Sequence, residues 1–280
     1  MTYVRPKNLT EALNLLSGDE WSLLSGGTDF YPSLRDQPFR GKVIDLWGLD
    51  ELREIRQEQA CLRIGALATW SDLIRTKLPP AFDGLKLAAR EVGSVQIQNR
   101  GTVAGNICNA SPAADGVPPL LTLDAVIELV SCNGVRLVPL NDFIVGNRAT
   151  SLRADELVSA VLVPNAASAG QSSFLKLGSR KYLVISISMV AARLECDAQG
   201  VVTAAAVGVG SCSVVAQRLG ALEQALVGQL LLNLADQVRP EHLAPLAPID
   251  DIRASGPYRT KATHELLKRV LSETGEKFSG

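Results

Sequence analysis

A chain of 280 residues is long enough for about two or three compact units, and 46% hydrophobic with 20% charged residues is an ordinary soluble, globular balance. The formal net charge of -1, with no run of Lys and Arg, excludes whole-chain attraction to nucleic acid or to an anionic membrane surface. Cysteines 61, 108, 132, 196 and 212 form no Cys-x-x-Cys pair, and His242 and His264 stand far apart, so no metal or iron–sulfur ligand set is legible. Any redox chemistry on this chain therefore needs an organic cofactor.

In chain order, the first residues lack the apolar stretch and small-residue cleavage site of a secretory leader. Asn8 reads as an N-cap with Glu11 reaching back from the third helical position; Leu9, Leu13 and Leu16 share one face, and Gly18 ends the helix. A strand at 21–24, a Gly26-Gly27 turn, a short helix at 30–34 and a strand at 42–46 predict a small parallel α/β unit. Residues 61–66 alternate as a strand, and Thr69 with Asp72 caps the helix that follows. Asn133-Gly134 between two β-branched runs predicts a type I′ hairpin, 139–143 leads into a loop, and 156–164 reads as another strand. Residues 165–171 are small and polar, the best candidate linker. Runs at 184–195 and 201–209 flank a turn at 197–200, and the remainder is helical in pattern, ending in an amphipathic helix over 258–271. The apolar segment 182–192 is too short to span a bilayer, so a soluble, cytoplasmic protein is expected.

Two glycine loops carry the chemistry. The first is Leu24-Ser25-Gly26-Gly27-Thr28-Asp29. A diphosphate needs several N–H donors at close range; consecutive glycines permit that approach, and a helix starting just afterwards adds a favourable dipole. Ser25 and Thr28 add hydroxyls. It is neither a Gly-x-Gly-x-x-Gly nor a Walker motif, and alone it also reads as a plain tight turn. The second loop runs from Gln98 to Asp115 and concentrates Gly, Asn, Ser and Thr without hydrophobic periodicity. A polar ligand explains why such a segment is ordered. Thr102, Asn106 and Ser111 offer neutral donors to phosphate or sugar oxygens, and Asp115 accepts from ribityl or ribose hydroxyls.

The string 99–115, followed by Pro118-Pro119-Leu120-Leu121-Thr122-Leu123-Asp124-Ala125, resembles the FAD-binding subunit of the xanthine dehydrogenase and carbon monoxide dehydrogenase family, the molybdenum hydroxylases. Gly-Gly-Thr-Asp at 26–29 is similar to that family's first flavin loop, and Asp250-Asp251-Ile252-Arg253 with Tyr258-Arg259 resembles the start of its last helix. Three departures stand out. Ala104 replaces the first glycine of the family's second pair, Gln98-Asn99-Arg100 replaces the commoner Arg-Asn-x, and an apolar residue replaces an Asp in 179–186.

The resemblance implies an α+β protein with a two-part FAD-binding fold of the vanillyl-alcohol-oxidase/PCMH type. In that fold a small parallel α/β unit and an antiparallel α+β unit precede a C-terminal antiparallel sheet with helices. The implied domains are 1–57, 58–165 and 171–280. It implies FAD on this chain, held by Leu24, Ser25, Gly26, Gly27, Thr28, Asp29, Thr102, Ala104, Gly105 and Asn106. Ser111 and Asp115 lie on the sugar chain, Ile185 near the flavin ring and Lys181 near a ligand. It also implies a large subunit with a molybdenum cofactor and a small subunit with [2Fe-2S] clusters, assembled as a dimer of heterotrimers, with no catalytic residue or metal site of this chain's own. A stand-alone flavin oxidoreductase and a flavin-free scaffold are the competing readings; the first needs its own acid or base, and the second sits poorly with Gly26, Gly27, Gly105 and Asp115.

Overall fold

The computed structural model describes residues 2–35 and 37–279. Strands β1 (Thr2–Val4), β2 (Ser22–Leu24) and β3 (Lys42–Asp45) form a parallel sheet in the order β1-β3-β2, with helices α1 (Leu9–Gly18) and α2 (Phe30–Leu34) in the connections. The Asn8 Oδ1 accepts from the Glu11 N–H at 2.9 Å, as the cap pattern requires. The Glu11 carboxylate reaches one residue beyond the cap, to the Lys7 N–H at 2.8 Å. Ala12 and Leu16 of α1 pack on Ile44 and Leu46, so this parallel unit closes over the helix face expected from its leucines. β1 is too short to show an alternating pattern in the sequence.

The second unit contains β4 (Ile55–Gln57), β5 (Cys61–Gly65), α3 (Trp70–Arg75), α4 (Asp83–Glu91), α5 (Val95–Gln98), α6 (Val103–Asn109) and α7 (Val117–Thr122). It continues with β6 (Val126–Ser131), β7 (Gly134–Pro139), α8 (Leu140–Phe143), β8 (Ile144–Gly146), β9 (Ala149–Thr150) and β10 (Leu157–Pro164). Its five-stranded antiparallel sheet has the order β4-β5-β10-β6-β7. Trp70, Phe82, Leu85, Ile107, Leu120 and Phe143 fill the core between this sheet and its helices. Thr69 and Asp72 form the expected capping box. The β6–β7 hairpin is present, but its turn is displaced by one residue. Ser131 pairs with Gly134, leaving Cys132-Asn133 at the tip, and Gly134 alone takes a positive φ, +123°. A type I′ turn needs two left-handed residues, so here the glycine follows the turn and starts the return strand. Residues 140–143, expected to lead into a loop, form a helical turn that passes into the short β8–β9 hairpin.

The third unit contains β11 (Gln171–Leu177), β12 (Ser188–Cys196), β13 (Val202–Gly210), β14 (Gln217–Arg218), α9 (Gly220–Leu226) and α10 (Gly256–Glu276). The antiparallel order is β11-β12-β13-β14. Val190, Ala192 and Leu194 face Leu267, Val270 and Leu271 of α10, while Met189 and Ala191, together with Phe174 of β11, pack on Ala88 of α4. Both faces of β12 are covered, which is why its Met189–Ala192 stretch reads as an apolar run without alternation. β11 escapes sequence reading because its Gln-Ser-Ser start lacks an apolar period. The strand expected from 184 begins only at Ser188; Leu183, at φ +53°, turns the chain first. The expected linker is ordered as well: Ala167 is buried, and the Asn165 Oδ1 accepts from Gln57 Nε2 at 2.8 Å.

Candidate functional site

Loop 24–29 leaves the carboxyl end of β2, the end of a parallel sheet where the chain opens a crevice for ligands. Loop 98–103 approaches it from the second unit and is pinned by backbone bonds: the Trp70 N–H donates to the Gly101 carbonyl at 3.1 Å, and the Val103 N–H to the Ala68 carbonyl at 3.0 Å. Trp70 is itself buried in the core, so the second loop stands on a rigid base. The two loops meet backbone to backbone. A Cβ on Gly26 would lie 1.8 Å from the Arg100 carbonyl oxygen, and one on Gly101 would lie 3.3 Å from the Thr28 hydroxyl. Gly27 adopts φ +76°. Both members of the Gly-Gly pair are thus required, Gly26 for closeness and Gly27 for its backbone conformation.

Among the described residues, the N–H groups of Gly26, Gly27 and Thr28 donate to no protein oxygen. Opposite them, the Thr102 hydroxyl caps α6 by accepting from the Gly105 N–H at 2.9 Å, and lies 3.5 Å from the Ser25 hydroxyl. A Cβ on Gly105 would lie 2.7 Å from that Thr102 oxygen, so the glycine makes room for the cap. Ala104, at the position of a family glycine, is 3% exposed and packs into the core. The Asn106 Oδ1 is buried without a hydrogen-bond donor, a cost that a ligand donor would relieve.

These loops line a cavity of about 840 Å³, within the range of cofactor pockets. Ten of the residues expected from sequence share its wall: Leu24, Ser25, Gly26, Gly27, Thr28, Asp29, Thr102, Ala104, Gly105 and Asn106. Cys108 also lines it. This thiol has accessible surface yet is surrounded by protein, because the surface it offers is the cavity wall, and burial pushes it up to about 12. Arg148, Arg153 and Glu156 add further charged groups to the lining and were not legible as site residues, since they come from the segment between β8 and β10, remote in sequence. Glu156 accepts from Arg136 at 2.9 and 2.7 Å, which holds its carboxyl below the ordinary value.

Four expected residues lie outside the wall. Ser111 turns back on its own loop and accepts from the Ala113 N–H at 3.2 Å. Asp115, expected as an open acceptor for sugar hydroxyls, is buried with both oxygens engaged, by Lys176 Nζ at 2.6 Å and by the Ser186 hydroxyl at 2.6 Å. Burial raises its carboxyl, against the lowering pull of Lys176 and Ser186. Sequence reading missed Lys176 because nothing in the β11 pattern marks one lysine as buried. Lys181 and Ile185 are exposed on the β11–β12 loop, with the Lys181 ammonium 5.2 Å from the Tyr182 ring centre. The structure joins Asp115 to this loop through Ser186, and does not bring Lys181 or Ile185 to the cavity.

The profile described as FAD binding domain in molybdopterin dehydrogenase matches residues 1–166, and that of the CO dehydrogenase flavoprotein C-terminal domain matches 173–274. The chain is 31% identical to the nicotinate dehydrogenase FAD-subunit of Eubacterium barkeri, over 99% of this chain and 97% of that one. It is 32% identical to the xanthine dehydrogenase FAD-binding subunit of Escherichia coli O157:H7, over 97% and 95% of the two chains. Among solved structures, a chain of the carbon monoxide dehydrogenase from Hydrogenophaga pseudoflava superposes with a TM-score of 0.87 at 29% identity, covering 99% of this chain and 98% of that one. Two glycine loops meeting over a cavity, on an architecture shared from end to end with these proteins, place this chain in the family of FAD-binding subunits of the molybdopterin dehydrogenases.

Proposed function

We propose that the cavity between loops 24–29 and 102–106 holds FAD, and that the chain serves as the electron-transfer flavoprotein of a molybdenum hydroxylase. The observation that carries this reading is the set of N–H groups at Gly26, Gly27 and Thr28 that find no protein acceptor, facing the capped start of α6 across a crevice closed by glycines. Those groups suit the diphosphate, with the Ser25, Thr28 and Thr102 hydroxyls beside it and Asn106 offering its free oxygen to a ligand donor. When bound, the flavin supplies the step between one-electron carriers and a terminal two-electron acceptor. The chain's own part is to bind, orient and shield. Asp29 and Glu156 are the acidic side chains on the wall among the described residues; Asp29 lies 3.9 Å from Arg148, and Arg136 pins Glu156. Among the described residues the wall thus carries no buried, unpaired acid or base for substrate chemistry, which favours a relay over a stand-alone oxidoreductase.

Substrate oxidation then belongs to a large subunit with a molybdenum cofactor, and [2Fe-2S] clusters on a small subunit feed this chain. Relatives named medium subunit or medium chain support that three-chain arrangement, and a dimer of such heterotrimers in the cytoplasm is our reading of the assembly. Among the described residues no helix is long and apolar enough to cross a membrane. Core clusters centred in turn on Ile44, Trp70 and Val190 support a division into 1–57, 58–165 and 171–280, with β4 (Ile55–Gln57) crossing the first boundary to pair with β5. Asp115 and Ser111 act in this scheme by shaping the second loop, with Lys181 and Ile185 on a surface loop beside it.

The test is native purification followed by absorbance, flavin release and metal analysis. Bound FAD co-purifying with molybdenum and iron is expected. A full-length chain that neither carries FAD nor quenches its fluorescence on titration would sink the proposal.

A further inference from the structure

Among the described residues the cavity wall carries two cations, Arg148 and Arg153, and their surroundings differ. Arg153 sits 4.0 Å from Glu156, a buried carboxylate that Arg136 already holds in a fork. Arg148 stands at the tip of the β8–β9 hairpin and reaches across to both glycine loops. Its guanidinium donates to the Asn109 Oδ1 beside the second loop and lies 3.9 Å from the Asp29 carboxylate of the first. The backbone there is unusual for a residue with a Cβ: Arg148 takes φ +57°, and its N–H donates at 2.9 Å to the carbonyl of Ala110, itself left-handed at φ +46°. Two uncommon conformations locked to each other aim this side chain over the cavity mouth.

The charges make the placement informative. The unbonded N–H groups of loop 24–29 offer dipoles but no net positive charge. Asp29, on the same loop, is acceptor-only when ionised; it cannot bond a phosphate oxygen and repels one nearby. A planar guanidinium with five N–H donors, one committed to Asn109, offsets that repulsion and bonds an oxyanion with its remaining donors. Its pairing with Asp29 is long and more than half exposed on both sides, 59% and 57%, so it is weak enough to give way.

We propose that Arg148 is the diphosphate clamp of this site, a positively charged strap that closes from the β8–β9 hairpin over the phosphates and screens them from Asp29. This rests on reading the cavity as the FAD site. The test uses the full chain and dissociation constants for FAD and riboflavin, from flavin fluorescence, and for ADP, from calorimetry. R148G removes the guanidinium while a glycine keeps the left-handed backbone without strain. It is expected to weaken FAD and ADP about 10- to 100-fold, the loss of one charge-assisted hydrogen-bonding group, and to leave riboflavin within about twofold. R148K, which keeps the charge without the fork, falls between. The proposal is overturned if R148G binds FAD as the parent does, or if it loses riboflavin as strongly as FAD, which would mark a role in loop shape alone. A parent chain that binds neither FAD nor ADP removes the cofactor reading and the clamp with it; a parent that binds both beside an unaffected R148G removes the clamp only.

Discussion

At the residue scale the cavity is decided by single atoms. A methyl group on Gly26 would sit 1.8 Å from the Arg100 carbonyl, far inside contact distance, and the neighbour is backbone that cannot rotate away. Gly26→Ala is therefore expected to force the two loops apart, at about 1–3 kcal/mol, the usual cost of overpacking. Thermal unfolding of the apo chain reads the stability loss and flavin titration the weakened site; unchanged values in both would mean the loops do not meet as described. Cys108 yields a prediction from its position inside the wall. With its thiol pushed up to about 12, the reactive thiolate is scarce at neutral pH. Maleimide labelling of Cys108, followed by peptide mass spectrometry, should be slow and should slow further when FAD is added. Labelling that FAD leaves unchanged would place the cofactor elsewhere. Both residues were visible in the sequence as members of polar glycine loops. What could not be read there is that Gly26 meets Arg100, because that contact joins residues of two different units.

At the scale of elements, α6 is the piece of secondary structure on which the second loop depends. Thr102 caps it, and removing that hydroxyl costs about 1 kcal/mol in a typical N-cap. Thr102→Ala should lower the melting temperature and weaken FAD binding together, while Thr102→Ser restores both; a Ser variant as poor as Ala would exclude the hydroxyl as the cause. Ala104 tests the opposite relation. Restoring the family's glycine there removes a buried methyl from the core and a good helix former from α6, each worth about 0.8–1 kcal/mol. Ala104→Gly should thus destabilise the fold and leave FAD affinity nearly unchanged. Tighter FAD binding would show that the methyl does obstruct the ligand. Elements with a local signal were legible: the Asn8 and Thr69 caps, the β6–β7 hairpin and the amphipathic α10. The hairpin turn shifted by one residue because Ser131 pairs with Gly134 across the tip, which leaves Cys132-Asn133 as the turn. β1 and β11 were not legible because a strand of three residues, or one opening Gln-Ser-Ser, acquires its character only from the partners it pairs with.

At the scale of the whole molecule, charge pairs within and between the units set how stability depends on pH. Glu128, held by Arg63, and Glu156, held by Arg136, both lie below the ordinary value of 4.5, so each stabilises the fold above that value. Their contribution is lost as pH falls through the lowered native values. Asp115 has the opposite sign. Its carboxyl is raised by burial, so its protonated form is favoured in the fold, and its contribution fades as pH rises through the native value. Lys176, 2.6 Å away, pulls against that upward shift, both side chains being under one-tenth exposed. This pair joins the loop after α6 to β11, with the Ser186 hydroxyl donating to the same carboxylate from the β11–β12 segment. Lys176→Ala leaves a buried carboxylate without its cation, a loss of about 3–5 kcal/mol for a broken buried pair. The variant should be markedly less stable at pH 7 than at pH 5, because protonation of Asp115 relieves the unpaired charge. Adding Asp115→Asn should flatten that dependence and recover part of the loss. Urea unfolding at the two pH values measures both, and a Lys176→Ala variant equally stable at pH 5 and pH 7 would show that the pair does not hold the second unit to the third.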